Sequence, residues 1–220
     1  MSAKAAVGAS LLALGLAGCG SAATHPPAAV TKAAAAAAPQ LRGLVPDPLP
    51  RRPNFTLTDT SGHPFDFATQ TRGKLAYLYF GYTHCPDACP ATMGDLEFAL
   101  HSVTAAQRRQ VEVVFVTVDP KRDTPKVLRA WLRHYDAAFV GLRGSERQVR
   151  AAESAAGIPL APLERQSGTN YSVAHSSFVL PYSPDGVAHV LYTQGFVSTD
   201  YAHDLPLLLR FKGSSTATKR

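Results

Sequence analysis

The period of the apolar side chains changes several times along this chain, and each change predicts an element. From Asn54 to Phe67 apolar residues alternate with polar ones on either side of Ser61-Gly62, which predicts a β-hairpin. Leu75 to Phe80 is almost continuously apolar and aromatic, the pattern of a short strand buried on both faces of a sheet. Met93, Leu96, Leu100 and Val103 then recur at helical spacing behind Pro90, a residue suited to the first helical position. Val111 to Val118 repeats the buried-strand pattern. The strand, helix, strand order predicts a right-handed crossover and a parallel pair.

Further on, Thr124 and Pro125 have the identities of an N-cap and a first helical residue. The helix they open carries an apolar stripe of Val127, Leu128, Trp131, Leu132 and Tyr135, in which Trp131 reads as a core anchor. A short strand near Phe139 to Leu142 leads to a helix from Ser145, where Ser145 and Gln148 have capping-box spacing and Gly157 supplies a stop. The polar loop Glu164 to Asn170 delivers the chain to a strand from Tyr171 to Leu180. Ser183 to Gly186 turns it back into Val187 to Thr193 as a second hairpin. A last helix, about Thr199 to Phe211 with Pro206 early in it, closes the domain. This order predicts an α/β fold, a thioredoxin-like sandwich with an N-terminal β-hairpin and an inserted hairpin before the last helix.

Composition changes the picture mainly at the ends of the 220-residue chain. Met1 to Cys19 has one early cation, Lys4, and an apolar stretch from Leu11 to Leu16, which reads as an export signal too short for a typical membrane span. Leu16-Ala17-Gly18-Cys19 resembles a bacterial lipobox. It implies that residues 1–18 are a lipoprotein signal peptide, that Cys19 is the lipid anchor, and that the mature protein sits on the outer face of the cytoplasmic membrane. The alternative is an ordinary signal peptide with an incidental cysteine. Residues 19–53, rich in Ala and Pro, read as a flexible tether, 54–212 as the folded domain, and 213–220 as a disordered tail. The net charge of +6 comes from scattered cations without aromatic interleaving, which suits a solvated surface near anionic lipid and not nucleic-acid binding.

With Cys19 assigned to lipid, Cys85 and Cys89 remain, with three residues between them at the strand-to-helix turn. In an exported protein such a pair is oxidised, redox-active or metal-bound. The helix N-terminus is expected to favour a thiolate at Cys89. Soft thiolates select Cu(I) or zinc, and a two-sulfur site needs a further ligand, most commonly histidine. Of eight histidines, His25 lies in the tether, His63 in a turn, His101 and His134 on solvated helix faces, and His189 and His203 late in the chain. His84 abuts Cys85, where the ring and thiolate of successive residues diverge. His175 ends a polar loop where a strand beside the cysteine strand is expected to begin; it reads equally as a ligand or as a structurally satisfied histidine. No proline between Leu163 and Val179 takes the place of the cis-proline of thioredoxin-like reductases. Asp119 reads as a turn or cap residue ahead of an organiser of the site.

Three ordered motifs resemble the signatures of the Sco/SenC family of copper chaperones: Phe80-Gly-Tyr-Thr-His-Cys-Pro-Asp-Ala-Cys-Pro90, Val118-Asp-Pro-Lys-Arg-Asp-Thr-Pro125, and His175-Ser176 followed by Pro184-Asp185-Gly186. The resemblance implies a domain that binds one copper, as Cu(I) with Cu(II) as a further state, through Cys85, Cys89 and His175. It also implies delivery of copper to, or reduction of thiols in, the dinuclear copper site of cytochrome c oxidase subunit II. A metallochaperone is then expected in place of an enzyme. The alternative is a thiol-disulfide oxidoreductase in which Cys85 attacks and Cys89 resolves; a peroxiredoxin-type peroxidase is suggested only by Thr83. The chain departs from the family pattern at Ala174, where many members carry Asp before the metal histidine, and this bears on Cu(II) affinity relative to Cu(I).

Overall fold

The structure, a computed structural model, describes residues 40–160 and 171–213. Thr56–Asp59 (β1) and Pro64–Asp66 (β2) form the predicted hairpin, with Leu57 opposite Phe65 and Gly62 turning the chain at a φ of +90°. One helical turn, Phe67–Gln70 (α1), leads into Leu75–Gly81 (β3), every residue of which is buried. Ala88–His101 (α2) follows, with Asp87 as N-cap and Pro90 third in the helix where the sequence pattern placed it first. The first four N–H groups of a helix have no intrahelical acceptor, so proline fits throughout that turn. Ala105–Arg108 (α3), closed by a Thr104–Gln107 capping box, precedes Val111–Thr117 (β4).

Pro125–Leu132 (α4) is capped by Thr124, whose hydroxyl accepts from the Val127 N–H. Trp131 anchors it, its ring centroid 5.1 Å from those of both Phe115 and Tyr135. Val140–Arg143 (β5) and Glu146–Ala155 (α5) follow, the latter opened by the Ser145–Gln148 capping box and stopped before Gly157 at a φ of +71°. Val179–Tyr182 (β6) and Ser198–Leu208 (α6) complete the element order.

The six strands form one sheet in the order β2-β1-β5-β4-β3-β6. β3 pairs parallel with β4 and β4 with β5, whereas β6 runs antiparallel to β3 with Val179 opposite Tyr79. Because β3 lies inside the sheet, between β4 and β6, its alternate side chains serve two cores. Tyr77 and Tyr79 pack with Met93 and Leu96 of α2, Leu128 and Leu132 of α4, and Leu205 and Leu208 of α6. Ala76, Leu78 and Phe80 pack on the other face with Phe67, Val149 and Ala152. The fold is the thioredoxin-like α/β sandwich that the pattern predicted.

Three expectations are corrected. Residues 171–178 are irregular, since the β3–β6 ladder stops at Tyr79↔Val179, two residues short of the end of β3, and the second hairpin closes only through the isolated bridges Val179↔Tyr192 and Tyr182↔Ala188. Pro206 lies in the last turn of α6, which ends at Leu208. Residues 40–53, expected as the end of the tether, are bound to the domain. The backbone N–H groups of Arg42 and Gly43 donate to the buried Asp204 carboxylate at 2.9–3.0 Å, and Leu44 bridges Leu191. The Arg52 guanidinium donates to the carbonyls of Thr71, Lys74, Tyr182 and Ser183. The disordered tail expected at 213–220 lies outside the described residues beyond Gly213, as do the signal segment, Cys19 and the poly-Ala run.

Candidate metal centre

β3 delivers the chain to the cysteine turn, where the Cys85 N–H donates to the Tyr82 carbonyl at 3.2 Å. Cys85 is half-buried in that turn; Cys89, second residue of α2, is fully buried, and both are free thiols. The Cys89 N–H points at the Cys85 sulfur, 3.4 Å away, so the start of the helix faces the other donor. Gly81 lets the Cys89 sulfur lie against the end of β3, since a Cβ there would be 2.7 Å from that sulfur.

His175 arrives from the opposite direction. The irregular segment ahead of β6 brings it against the end of β3, between the rings of Tyr79 and Tyr82. Its Nε2 is 3.7 Å from the Cys89 sulfur, and the three ligand atoms of Cys85, Cys89 and His175 all lie within 4.8 Å of one another. Among the described residues no other group of three His, Cys, Asp or Glu donors is so arranged. His175 Nδ1 lies 3.1 Å from the Ser176 carbonyl, which can only accept, so Nδ1 carries the proton and the Nε2 lone pair faces the sulfurs. Burial lowers the His175 pKa, keeping the ring neutral and fit to ligate. The Tyr82 and Tyr79 rings meet it edge-on at 5.4 and 6.4 Å, fixing its plane.

Cys89 does not behave as the helix terminus alone would dictate. Burial pushes its pKa up to about 12, so in the metal-free protein it is a thiol. The Tyr79 hydroxyl, donating to its sulfur at 3.4 Å, works in the opposite direction and favours the thiolate. The donor set is therefore two soft sulfurs and one neutral imidazole. With bond lengths of about 2.3 Å to sulfur and 2.0 Å to nitrogen, trigonal angles put those donors about 3.7 Å apart. The observed Cys89–His175 separation is 3.7 Å, so this edge of the site already has the span a soft ion needs.

One short loop holds both arms of this site. After β4, the buried Asp123 carboxylate accepts from the Thr83 N–H at 3.0 Å, the Thr83 hydroxyl at 2.6 Å and the Thr117 hydroxyl at 2.6 Å, fixing the cysteine turn to β4. At the other end of the loop, Asp119 pairs with Arg122 and accepts from the Tyr171 hydroxyl at 3.0 Å. Arg122 Nη1 donates to the Tyr171 carbonyl at 2.8 Å, and its guanidinium lies 3.6 Å from the Tyr171 ring centroid. Asp119 is thus more than the turn residue the sequence suggested, for it also ties down the segment that carries His175.

The remaining histidines among the described residues stand apart, His25 lying outside them. His84 is exposed, with Nδ1 3.1 Å from the Thr83 hydroxyl and 3.6 Å from Asp123. His63, His101 and His134 are exposed, while His189 and His203 pair with Asp185 and Asp204. Tyr79, Arg122, Asp123 and Tyr171 were not singled out as site residues from sequence. The signal available was the density of Asp and Arg in 119–123, which reads equally well as helix capping.

The sequence model of the SCO1/SenC family matches residues 46–209. A Stutzerimonas stutzeri protein named "Putative copper-binding protein" is 38% identical over 141 residues, covering 63% of this chain and 68% of its own length. Protein SCO2, mitochondrial, of Saccharomyces cerevisiae is 33% identical over 133 residues, and there the match spans only 44% of the relative. Among solved structures, the apo Sco1 protein from Thermus thermophilus superposes with a TM-score of 0.69 at 29% identity, covering 79% of this chain and 99% of that one.

Proposed function

Because the chain belongs to the SCO1/SenC family, we propose that it is a membrane-anchored, extracytoplasmic copper metallochaperone that carries one copper ion on Cys85, Cys89 and His175. The observation that carries the reading is the convergence of these three ligand atoms within 4.8 Å, with the free nitrogen lone pair of His175 aimed at the sulfurs. Copper is the cargo of this protein. Two sulfurs and an imidazole favour Cu(I), and the half-buried Cys85 gives an incoming ligand of the recipient a side from which to attack. Transfer then proceeds by stepwise ligand exchange: each donor released by the protein is replaced by one from the acceptor. The acceptor in this reading is the dinuclear copper site of cytochrome c oxidase subunit II. Binding needs both sulfurs reduced, so oxidation of the pair to a disulfide unloads the site and links copper occupancy to redox state.

The proposed anchor is a lipid on Cys19. Among the described residues no helix is long and apolar enough to cross a membrane. A second reading, thiol-disulfide exchange, is favoured by one observation, a half-buried Cys85 paired with a buried Cys89, the arrangement of an attacking and a resolving thiol.

Copper stoichiometry and Cu(I) affinity of the reduced chain separate the two. The chaperone reading expects one copper per chain, with affinity falling steeply in His175→Ala and Cys85→Ser. Binding indifferent to His175, together with exchange activity that survives His175→Ala, would overturn it in favour of the oxidoreductase.

A further inference from the structure

The stretch that carries His175 is the weakest part of the site. Residues 171–178 belong to no strand ladder, so the ligand is not positioned by sheet hydrogen bonds as Cys89 is by its helix. At its start the stretch is tied to the fold through Tyr171, whose ring and carbonyl are both engaged by Arg122. The same guanidinium lies 5.7 Å from the centroid of the Tyr82 ring, and Tyr82 belongs to the cysteine arm. The Tyr82 ring in turn meets the His175 ring at 86°. Arg122 therefore touches both halves of the site without reaching the three donors.

Its side chain is only 13% exposed, and its charge is balanced by Asp119, itself 4% exposed. Nη2 is buried with no hydrogen-bond partner among the described residues, as expected of a guanidinium face held between rings and not by a full set of acceptors. A planar guanidinium can stack and donate at the same time, which an ammonium cannot.

We infer that Arg122 is the positioning residue that clamps the His175 segment onto the cysteine turn and so sets whether the site offers three donors or two. The inference rests on the copper reading above. Releasing the clamp leaves both sulfurs in place and frees only the imidazole, the ligand whose departure would open the site to a recipient.

The test compares wild type, Arg122→Met, Arg122→Lys, His175→Ala and the Arg122→Met/His175→Ala double variant, as purified, reduced chains in Cu(I) competition titrations. Supporting-shell substitutions of this kind weaken metal binding by about 10–100-fold, and that loss is expected for Arg122→Met, with Arg122→Lys between it and wild type. In the His175→Ala background the same substitution should add less than about twofold, because a residue acting through His175 has nothing left to position. A metal-free readout accompanies this, the alkylation rate of Cys89 followed by peptide mass spectrometry, expected to rise in Arg122→Met as the segment covering that sulfur loosens. Tyr171→Leu removes the stacking partner while leaving the Arg122–Asp119 pair, and should reproduce both effects if Arg122→Met fails to fold. Wild-type affinity and wild-type Cys89 reactivity in Arg122→Met, or an equal loss with and without His175, would overturn the inference. A wild-type chain that takes up no copper would overturn the copper reading instead, and the Cys89 alkylation rates would still decide whether Arg122 holds the segment.

Discussion

Gly81→Ala tests the closest approach in the site. The added Cβ would lie 2.7 Å from the Cys89 sulfur and 3.0 and 3.1 Å from two atoms of the Phe115 ring, where ordinary contact begins at 3.4 Å. Either Cys89 retreats by about 0.7 Å, the difference between those contacts, or β3 shifts against β4. Overpacking of this kind costs about 1–3 kcal/mol. Loss of chain freedom in the unfolded state returns about 0.4–1 kcal/mol of that, since Gly81 does not occupy the left-handed region. The net expectation is a destabilisation of about 1–2 kcal/mol, which in a chain of this size lowers Tm by roughly 2–8 °C. Copper should report the change more sharply than stability does, because one donor of a site with a 3.7 Å edge has been moved. Cu(I) affinity, read by competition with a chromophoric chelator, should fall by about tenfold or more, about 1.4 kcal/mol. A variant with wild-type Tm and wild-type Cu(I) affinity would refute the reasoning, since it would mean that β3 yields freely and the glycine is not needed for the approach.

Two further outcomes follow from the same geometry. Because Cys89 is held protonated up to about pH 12, copper binding must expel its proton, and apparent Cu(I) affinity should rise with pH by about tenfold per unit from this group alone. His175, its pKa lowered by burial, is already neutral at pH 7 and steepens the dependence only in more acidic solution. Proton release on titrating copper into lightly buffered protein measures this directly, and affinity constant from pH 6 to 8 would contradict it. Asp204→Asn should loosen the N-terminal segment, since the carboxylate accepts from Arg42 N, Gly43 N, the Tyr192 hydroxyl and the His203 ring. A loss of about 1–3 kcal/mol and faster tryptic cleavage after Arg42 are expected, and an unchanged cleavage rate would show that the segment is held by other contacts.

Elements with a strong period were legible in the sequence: the alternating hairpin, the continuous strand to Phe80, the Thr124 and Ser145 caps. Those signals are local, set by side chains within a turn of each other. The proposed copper donors were legible from motif resemblance, whereas residue chemistry alone left His175 undecided. Its position depends on how the irregular segment 171–178 is tied to Arg122 and packed against Tyr79 and Tyr82, long-range contacts that no local pattern carries. The protonation of Cys89 was misread for a related reason. A helix start is visible in sequence, but the burial that outweighs it comes from side chains such as Tyr79 and His175, brought in from other parts of the fold. The grip of residues 40–53 was missed because it uses main-chain donors, bridges and a single arginine side chain, which leave little trace in hydropathy.

Arg52 has a mechanical consequence. A pull on the chain ahead of Gln40 first meets the Asp204 contacts and the Leu44–Leu191 bridge, each a single point of attachment. It then meets a guanidinium gripping four carbonyls from separate parts of the fold, a joint that must be sheared as a whole. That joint sits where β3 begins, and the cysteines follow its far end, a seven-residue strand or about 20 Å away. Like a cable clamped short of its connector, the chain takes up tension before it reaches the site.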